Sequence, residues 1–153
     1  MIVNKLDKNA KKIDRFLINF LKKQKKSFLV TPMKYGVISG GKKIRSTIIF
    51  DFGKIFNLNE KKLINICAAV ECIHSYSLIH DDLPCMDDDM IRRGKPSTHV
   101  KFGEASAVLA GSSLLTLAFE IIADKKYLLN PKSKNDIIGS LAICSGHTGI
   151  AGG

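Results

Sequence analysis

The chain lacks most of the features that would set it apart from an ordinary folded domain. Its cysteines, Cys67, Cys72, Cys85 and Cys144, form no CxxC pair and no zinc spacing, so they read as the reduced thiols of a cytoplasmic protein. No apolar run reaches the roughly 18 residues needed to span a bilayer, which argues against a membrane span. The N-terminus has no secretory pattern, because lysines and asparagines interrupt its apolar residues. No stretch alternates apolar and polar residues as a half-buried strand would, and there is neither an internal repeat nor a low-complexity tract. What remains is ordinary: 153 residues, 45% hydrophobic and 25% charged. That is enough for one domain with a sizeable core, and it excludes disorder over most of the length.

Acidic residues are scarce in the first part of the chain. Residues 1–62 carry 16 Lys+Arg against 4 Asp+Glu, a net of +12, whereas residues 63–153 carry 8 against 10. A basic half beside an acidic half suits nucleic acid, an anionic surface or an anionic small molecule. The lysines lack the interleaved aromatics of a single-strand binder, and no helix-turn-helix or zinc-finger signature accompanies them. The reading is therefore no nucleic acid. A module driven by the basic half stays as the alternative class, and steep salt dependence of binding would distinguish it.

The periodicity is helical. In NAKKIDRFLINFLKKQKK, Ile13, Phe16, Leu17, Phe20 and Leu21 recur at three- and four-residue spacing, the pattern of an amphipathic helix. A break is expected at Thr31-Pro32. Gly40-Gly41 interrupts the next segment, with a helix restarting near Lys42. Asn57-Leu58-Asn59-Glu60 reads as a turn and a cap, followed by a helix from Glu60 to about Leu83, which Pro84 ends. A further helix lies in GEASAVLAGSSLLTLAFEIIA. The last begins around Lys134 and runs on into SGHTGIAGG. The fold class is all-α.

The chemistry concentrates in HDDLPCMDDDMIRRG, residues 80–94, where five aspartates fall within nine residues and two arginines follow. Carboxylates this close repel unless a positive charge sits among them. Asp81 and Asp82 also face the negative end of the long helix, which is unfavourable. The loop admits a solvated reading and a metal reading. An EF-hand is excluded, because Ile91-Arg92 do not supply its alternating ligands and glycine. Hard oxygen donors of this kind suit Mg²⁺ together with a substrate phosphate, and guanidinium groups of Arg92 and Arg93 suit the remaining phosphate oxygens. Glu71, His74, Ser77 or Leu78, and Asp81 share one helix face. Lys42 and Arg45, at a helix start behind two glycines, form a second anion site. Together these features suggest a pocket for two phosphorylated substrates, one held through metal and one directly.

DDLPCMDDDMIRRGKPSTH resembles the first aspartate-rich motif of the trans-prenyl diphosphate synthases, and GGKKIR resembles their isopentenyl diphosphate-binding turn. ECIHSYSLIHDD and LAGSSLLTLAFE extend the match, which covers nearly the whole chain from about Lys34 onward. The resemblance implies an antiparallel helix bundle around a central cavity, the isoprenoid synthase fold, working as a homodimer. It implies condensation of isopentenyl diphosphate with an allylic diphosphate, dependent on Mg²⁺. Charge separation dominates such a reaction, so stabilisation of the diphosphate leaving group is the main catalytic need. By the same resemblance Asp81 and Asp87 are metal ligands supported by Asp82, and Arg92 contacts the allylic diphosphate. Lys42, Arg45, His74 and Arg93 contact isopentenyl diphosphate. Tyr76, with Ser77 beside it, lies where a large side chain limits product length. This aromatic and the Pro84-Cys85 widening of the motif are similar to bacterial farnesyl diphosphate synthases; a geranylgeranyl product is the alternative. His80 is expected to be structural, Cys85 and Met86 to be packing, and Asp88 and Asp89 to be solvated.

The sequence departs from that family's pattern in one large respect. Nothing after Asp136 is acidic, so the family's second aspartate-rich motif has no counterpart. The expectation is that residues 1–153 are the N-terminal part of a single synthase domain, truncated and with little activity on its own, with an exposed apolar wall. A non-catalytic subunit of a heteromeric synthase is the other reading. Ser46, where a proline is common, is expected to affect helix geometry alone.

Overall fold

The computed structural model describes residues 2–153. Seven helices follow in order: α1 (Ile2–Lys22), α2 (Val30–Val37), α3 (Ile44–Ile55), α4 (Glu60–Asp81), α5 (Thr98–Phe102), α6 (Glu104–Ala123) and α7 (Pro131–Ser145). Between α4 and α5 sits a small hairpin, β1 (Ile91–Arg92) with β2 (Lys95–Pro96).

The centre is the packed pair α4 and α6. Small side chains let them approach closely: Ala68, Ala69 and Cys72 on α4 face a stripe of Ala107, Ala110, Leu114 and Ala118 on α6, all of them buried. Ile13, Leu17 and Leu21 of α1 join this core, while Phe16 and Phe20 flank it half-buried, as their spacing requires. Burial pushes the Cys67 and Cys72 thiols up to about 12, so neither is a reactive thiolate. By length and composition α4 and α6 would each suit a bilayer, but 56% and 44% of their apolar windows are buried within the bundle. The apolarity of both helices is used inside the fold.

Three boundaries differ from expectation. Thr31-Pro32 is no break: Pro32 occupies the first turn of α2, where its missing N–H would have had no partner. Helix α7 starts earlier than Lys134, because the Asn130 side chain accepts from Ser133 N at 2.8 Å and Pro131 suits the first helical position. It also stops at Ser145 rather than running into the glycines; a 3-10 turn over Ile150–Gly152 follows. By contrast Asn59 caps α4 as expected, accepting from Lys61 N at 2.9 Å.

The hairpin escaped the strand pattern because it has two residues per strand, too few to show alternation. Its turn residues Arg93 and Gly94 both have positive φ, 54° and 73°, the type I′ geometry that matches strand twist. Tyr35 of α2 donates to Pro96 O at 2.7 Å, which fixes the hairpin against the bundle. One apolar stripe has no cover: Ile44, Ile48, Phe52 and Ile55 of α3 are each at least half exposed.

Candidate active site

Two loops and one helix face meet at one end of the bundle. The first loop is Ser39 to Lys43. Gly40 and Gly41 have φ of 88° and 92°, a region open to glycine. Gly41 is needed for a second reason. A Cβ there would lie 2.6 Å from Cζ of Arg93, so the absent side chain is the space the guanidinium fills. Arg93 donates to Gly40 O and lies 3.5 Å from Ser39 Oγ. The arginine after the acidic loop is thereby clasped onto the glycine turn 53 residues earlier in the chain.

Lys42 and Arg45 flank the start of α3, both exposed. Arg45 shares a cavity of about 130 Å³ with His74, Val70 and Ile73 of α4 and Leu141, Cys144 and Ser145 of α7. His74 is half-buried, and its imidazole is pushed down to about 4 by burial first and then by Arg45, Arg93, Lys43 and Arg92. It is neutral at neutral pH, able to donate one hydrogen bond and accept another. Larger grooves of about 360 Å³ occur between α6 and the α1–α2 connection, and beside Tyr35 and Phe102. Neither touches these residues.

The second loop begins at the end of α4. Asp82 is buried, and its carboxylate is gripped by Arg92, whose Nε donates at 2.9 Å to Oδ1 and 3.3 Å to Oδ2. Arg92 also pairs with Asp89 at 3.2 Å. These contacts, the Asp82 hydrogen bond foremost, raise the Arg92 pKa further. Asp82 therefore spends its oxygens on an arginine and does not stand beside Asp81 as an open donor. Asp88 and Asp89 are both exposed, as expected, though Asp89 also shares the Arg92 guanidinium. Asp87 N donates to Asp81 O at 2.8 Å, so the loop returns Asp87 to the helix end. Among the described residues neither Asp81 nor Asp87 enters an ion pair. No three His, Cys, Asp or Glu residues converge there on one point. Two carboxylates are what Mg²⁺ uses when waters and substrate phosphates complete its shell, so Asp81 and Asp87 fit the ion as a pair.

Other expected positions are resolved as follows. His80 packs inside the fold: Nε2 donates to Val108 O at 3.0 Å, and its ring lies where a side chain at Gly111 would be. Tyr76 is half-buried and meets the His80 ring edge-on at 5.0 Å. Ser77 donates to His74 O at 2.9 Å. Cys85 and Met86 are exposed on the loop, contrary to the packing role expected of them, because the widened loop projects from the bundle. Glu71 is buried and accepts from Ser46 Oγ at 2.8 Å, so on the shared face it serves packing against α3. Ser46 thus bonds α3 to α4, more than an effect on helix geometry. Sequence reading also passed over Lys43, which is buried while its neighbours are not; nothing in a run of lysines marks which one turns inward.

A Polyprenyl synthetase family model matches residues 26–145. The chain belongs to that family. It is 48% identical over 126 residues to the farnesyl diphosphate synthase of Escherichia coli, covering 82% of this chain and 42% of that protein. It is 43% identical over 121 residues to a chloroplastic geranylgeranyl pyrophosphate synthase of Catharanthus roseus, covering 79% and 34%. The structure superposes on an FPP/GFPP synthase from Zymomonas mobilis with a TM-score of 0.92 at 41% identity, over 99% of this chain and 56% of that one. The chain thus spans about half the length of the relatives it matches. The polyprenyl synthetase match contains both loops and the helix face between them, while all of α1 precedes it.

Proposed function

We propose that this chain forms the isopentenyl diphosphate side and the first carboxylate pair of a farnesyl diphosphate synthase. Lys42, Arg45 and Arg93 bind one diphosphate directly, and neutral His74 adds a hydrogen bond beside Arg45. Asp81 and Asp87 hold Mg²⁺ from the opposite loop. Mg²⁺, when bound, neutralises charge on the allylic diphosphate as its bond to carbon breaks. Asp82 and Asp89 keep Arg92 in place through Nε and Nη2, and Nη1 of Arg92 addresses the same leaving group. The observation that carries the reading is the clasp of Arg93 on the Gly40-Gly41 turn. It sets Arg93 among the cations, with Arg45, Lys43 and Arg92, that together with burial depress His74, on the helix that ends at Asp81.

Because the chain spans 42% of its Escherichia coli relative, this reading gives it one wall of the site. These 153 residues hold no second aspartate-rich motif. Homodimer formation and a cytoplasmic location belong to the same proposal. Tyr76 favours the farnesyl product, since its ring stands one turn and a half before Asp81. The geranylgeranyl alternative rests on the Catharanthus relative.

Calorimetric titration with geranyl diphosphate, with and without Mg²⁺, tests the reading. Binding is expected to tighten with Mg²⁺ in the wild type and to lose that dependence in Asp81→Asn and Asp87→Asn. Equal affinity with and without the ion in the wild type overturns the metal assignment.

A further inference from the structure

Between Lys42 and Arg45 stands a residue the diphosphate reading does not use. The Lys43 side chain is 3% exposed, and its φ of 42° is left-handed, a strained setting for a side-chain-bearing residue. A buried ammonium must be paired. Nζ of Lys43 donates to Val37 O, the last residue of α2, at 3.1 Å. It lies 3.2 Å from Oδ1 of Asp14 on α1. That oxygen is buried and makes no hydrogen bond, so the contact is one of charge on charge.

The pair is the last rung of a polar ladder between α1 and α3, which run antiparallel. Lys5 donates to Asp51 at 2.7 Å, and Asn9 Nδ2 donates to Thr47 Oγ1 at 3.1 Å. Each step up α1 meets a step down α3, ending at Asp14 and Lys43. The first two rungs set the register of the helices. The third reaches the residue whose backbone decides where Lys42 and Arg45 point. Asp14 lies outside residues 26–145, the part that the family model matches.

We propose that Asp14 is a positioning residue for diphosphate binding: through the buried ammonium of Lys43 it holds the turn so that Lys42 and Arg45 address one anion. Without that partner the ammonium has one carbonyl and no counter-charge, and the left-handed backbone at Lys43 has nothing to hold it. Relaxation at Lys43 would separate the flanking cations, and small misplacements of binding groups are costly. The proposal rests on the reading of Lys42 and Arg45 as a diphosphate site.

The test is calorimetric titration of the 153-residue chain with inorganic pyrophosphate in the presence of a metal chelator. Wild type, Asp14→Asn, Lys43→Met, Lys43→Arg and Arg45→Ala are compared, each well below its own melting midpoint so that unfolding does not enter. Asp14→Asn and Lys43→Met are expected to weaken binding about tenfold or more, with Lys43→Arg recovering most of what Lys43→Met loses. A fall in melting temperature for Asp14→Asn with unchanged affinity would falsify the positioning role and leave the pair as a stabilising contact. If Arg45→Ala is itself without effect, or the wild type does not bind, the diphosphate site is wrong and the role of Asp14 falls with it. Loss in Arg45→Ala with no loss in Asp14→Asn overturns the proposal alone.

Discussion

The cationic turn and the acidic loop hold comparable amounts of charge and treat it differently. On the turn Lys43 and Arg93 are braced, while Lys42 is exposed. Lys43 is buried between α1 and α2, Arg93 is seated in the space left by Gly41, and Arg45 shares a cavity with His74. On the loop, Asp82 is anchored under Arg92 and Asp89 shares that guanidinium, whereas Asp81 and Asp87 are joined by a main-chain bond with no ion pair among the described residues. The contrast fits the two modes of anion capture. Direct capture of a diphosphate needs donors fixed in advance, since each side chain ordered on binding costs about 0.5–1.5 kcal/mol. A metal supplies its own geometry and needs carboxylates that are free to meet it.

The largest effect is expected where the loop behaves like the turn. Arg92→Leu would leave Asp82 buried without a partner. Breaking a buried pair costs about 3–5 kcal/mol, and the partial exposure of Arg92 brings the expectation to about 2–3. Urea denaturation measures it; a loss below about 0.5 kcal/mol, the range of an exposed pair, would remove the distinction between Asp82 and its neighbours. Next comes Gly41→Ala, which forces a side chain to φ of 92° and displaces Arg93. About 1–3 kcal/mol of stability should go, together with pyrophosphate affinity. Retained affinity would show that the clasp is not part of the site.

A smaller effect follows from His74. Its folded value, about 4, lies below the ordinary 6.5, so the unfolded chain binds the proton more readily. Stability is therefore full above about pH 6.5 and declines as pH falls from 6.5 towards 4, levelling below. In His74→Gln that part of the pH slope should vanish from thermal melts; an unchanged slope would mean His74 is not the group held neutral. Least of all should Asp81→Asn with Asp87→Asn change stability in metal-free buffer. Relief of repulsion could even raise it slightly. A clear loss would show that these carboxylates brace the loop rather than await an ion.

Much of this could be read from residue spacing. The amphipathic stripe of α1, the cap at Asn59 and the long helix ending before Pro84 depend on neighbours three or four residues away, and they appear where spacing puts them. The motif residues were legible for a similar reason, since DDLPCMD and GGKKIR are short and contiguous. Pro32 misled because a proline marks a break inside a helix but not in its first turn. The hairpin was too short for any period to show.

Which cations and carboxylates belong together was a different matter. Asp81, Asp82 and Asp87 look alike in the sequence, as do Lys42 and Lys43. Helical periodicity and the chemistry of short motifs were enough to establish an all-α chain, its family and the residues around which its chemistry gathers. Packing alone settled that Asp82 serves Arg92, that Arg93 reaches back to Gly41, and that Lys43 turns inward to Asp14. These contacts join residues 10 to 53 positions apart, and burial of a charge depends on what surrounds it in space, which no local pattern records.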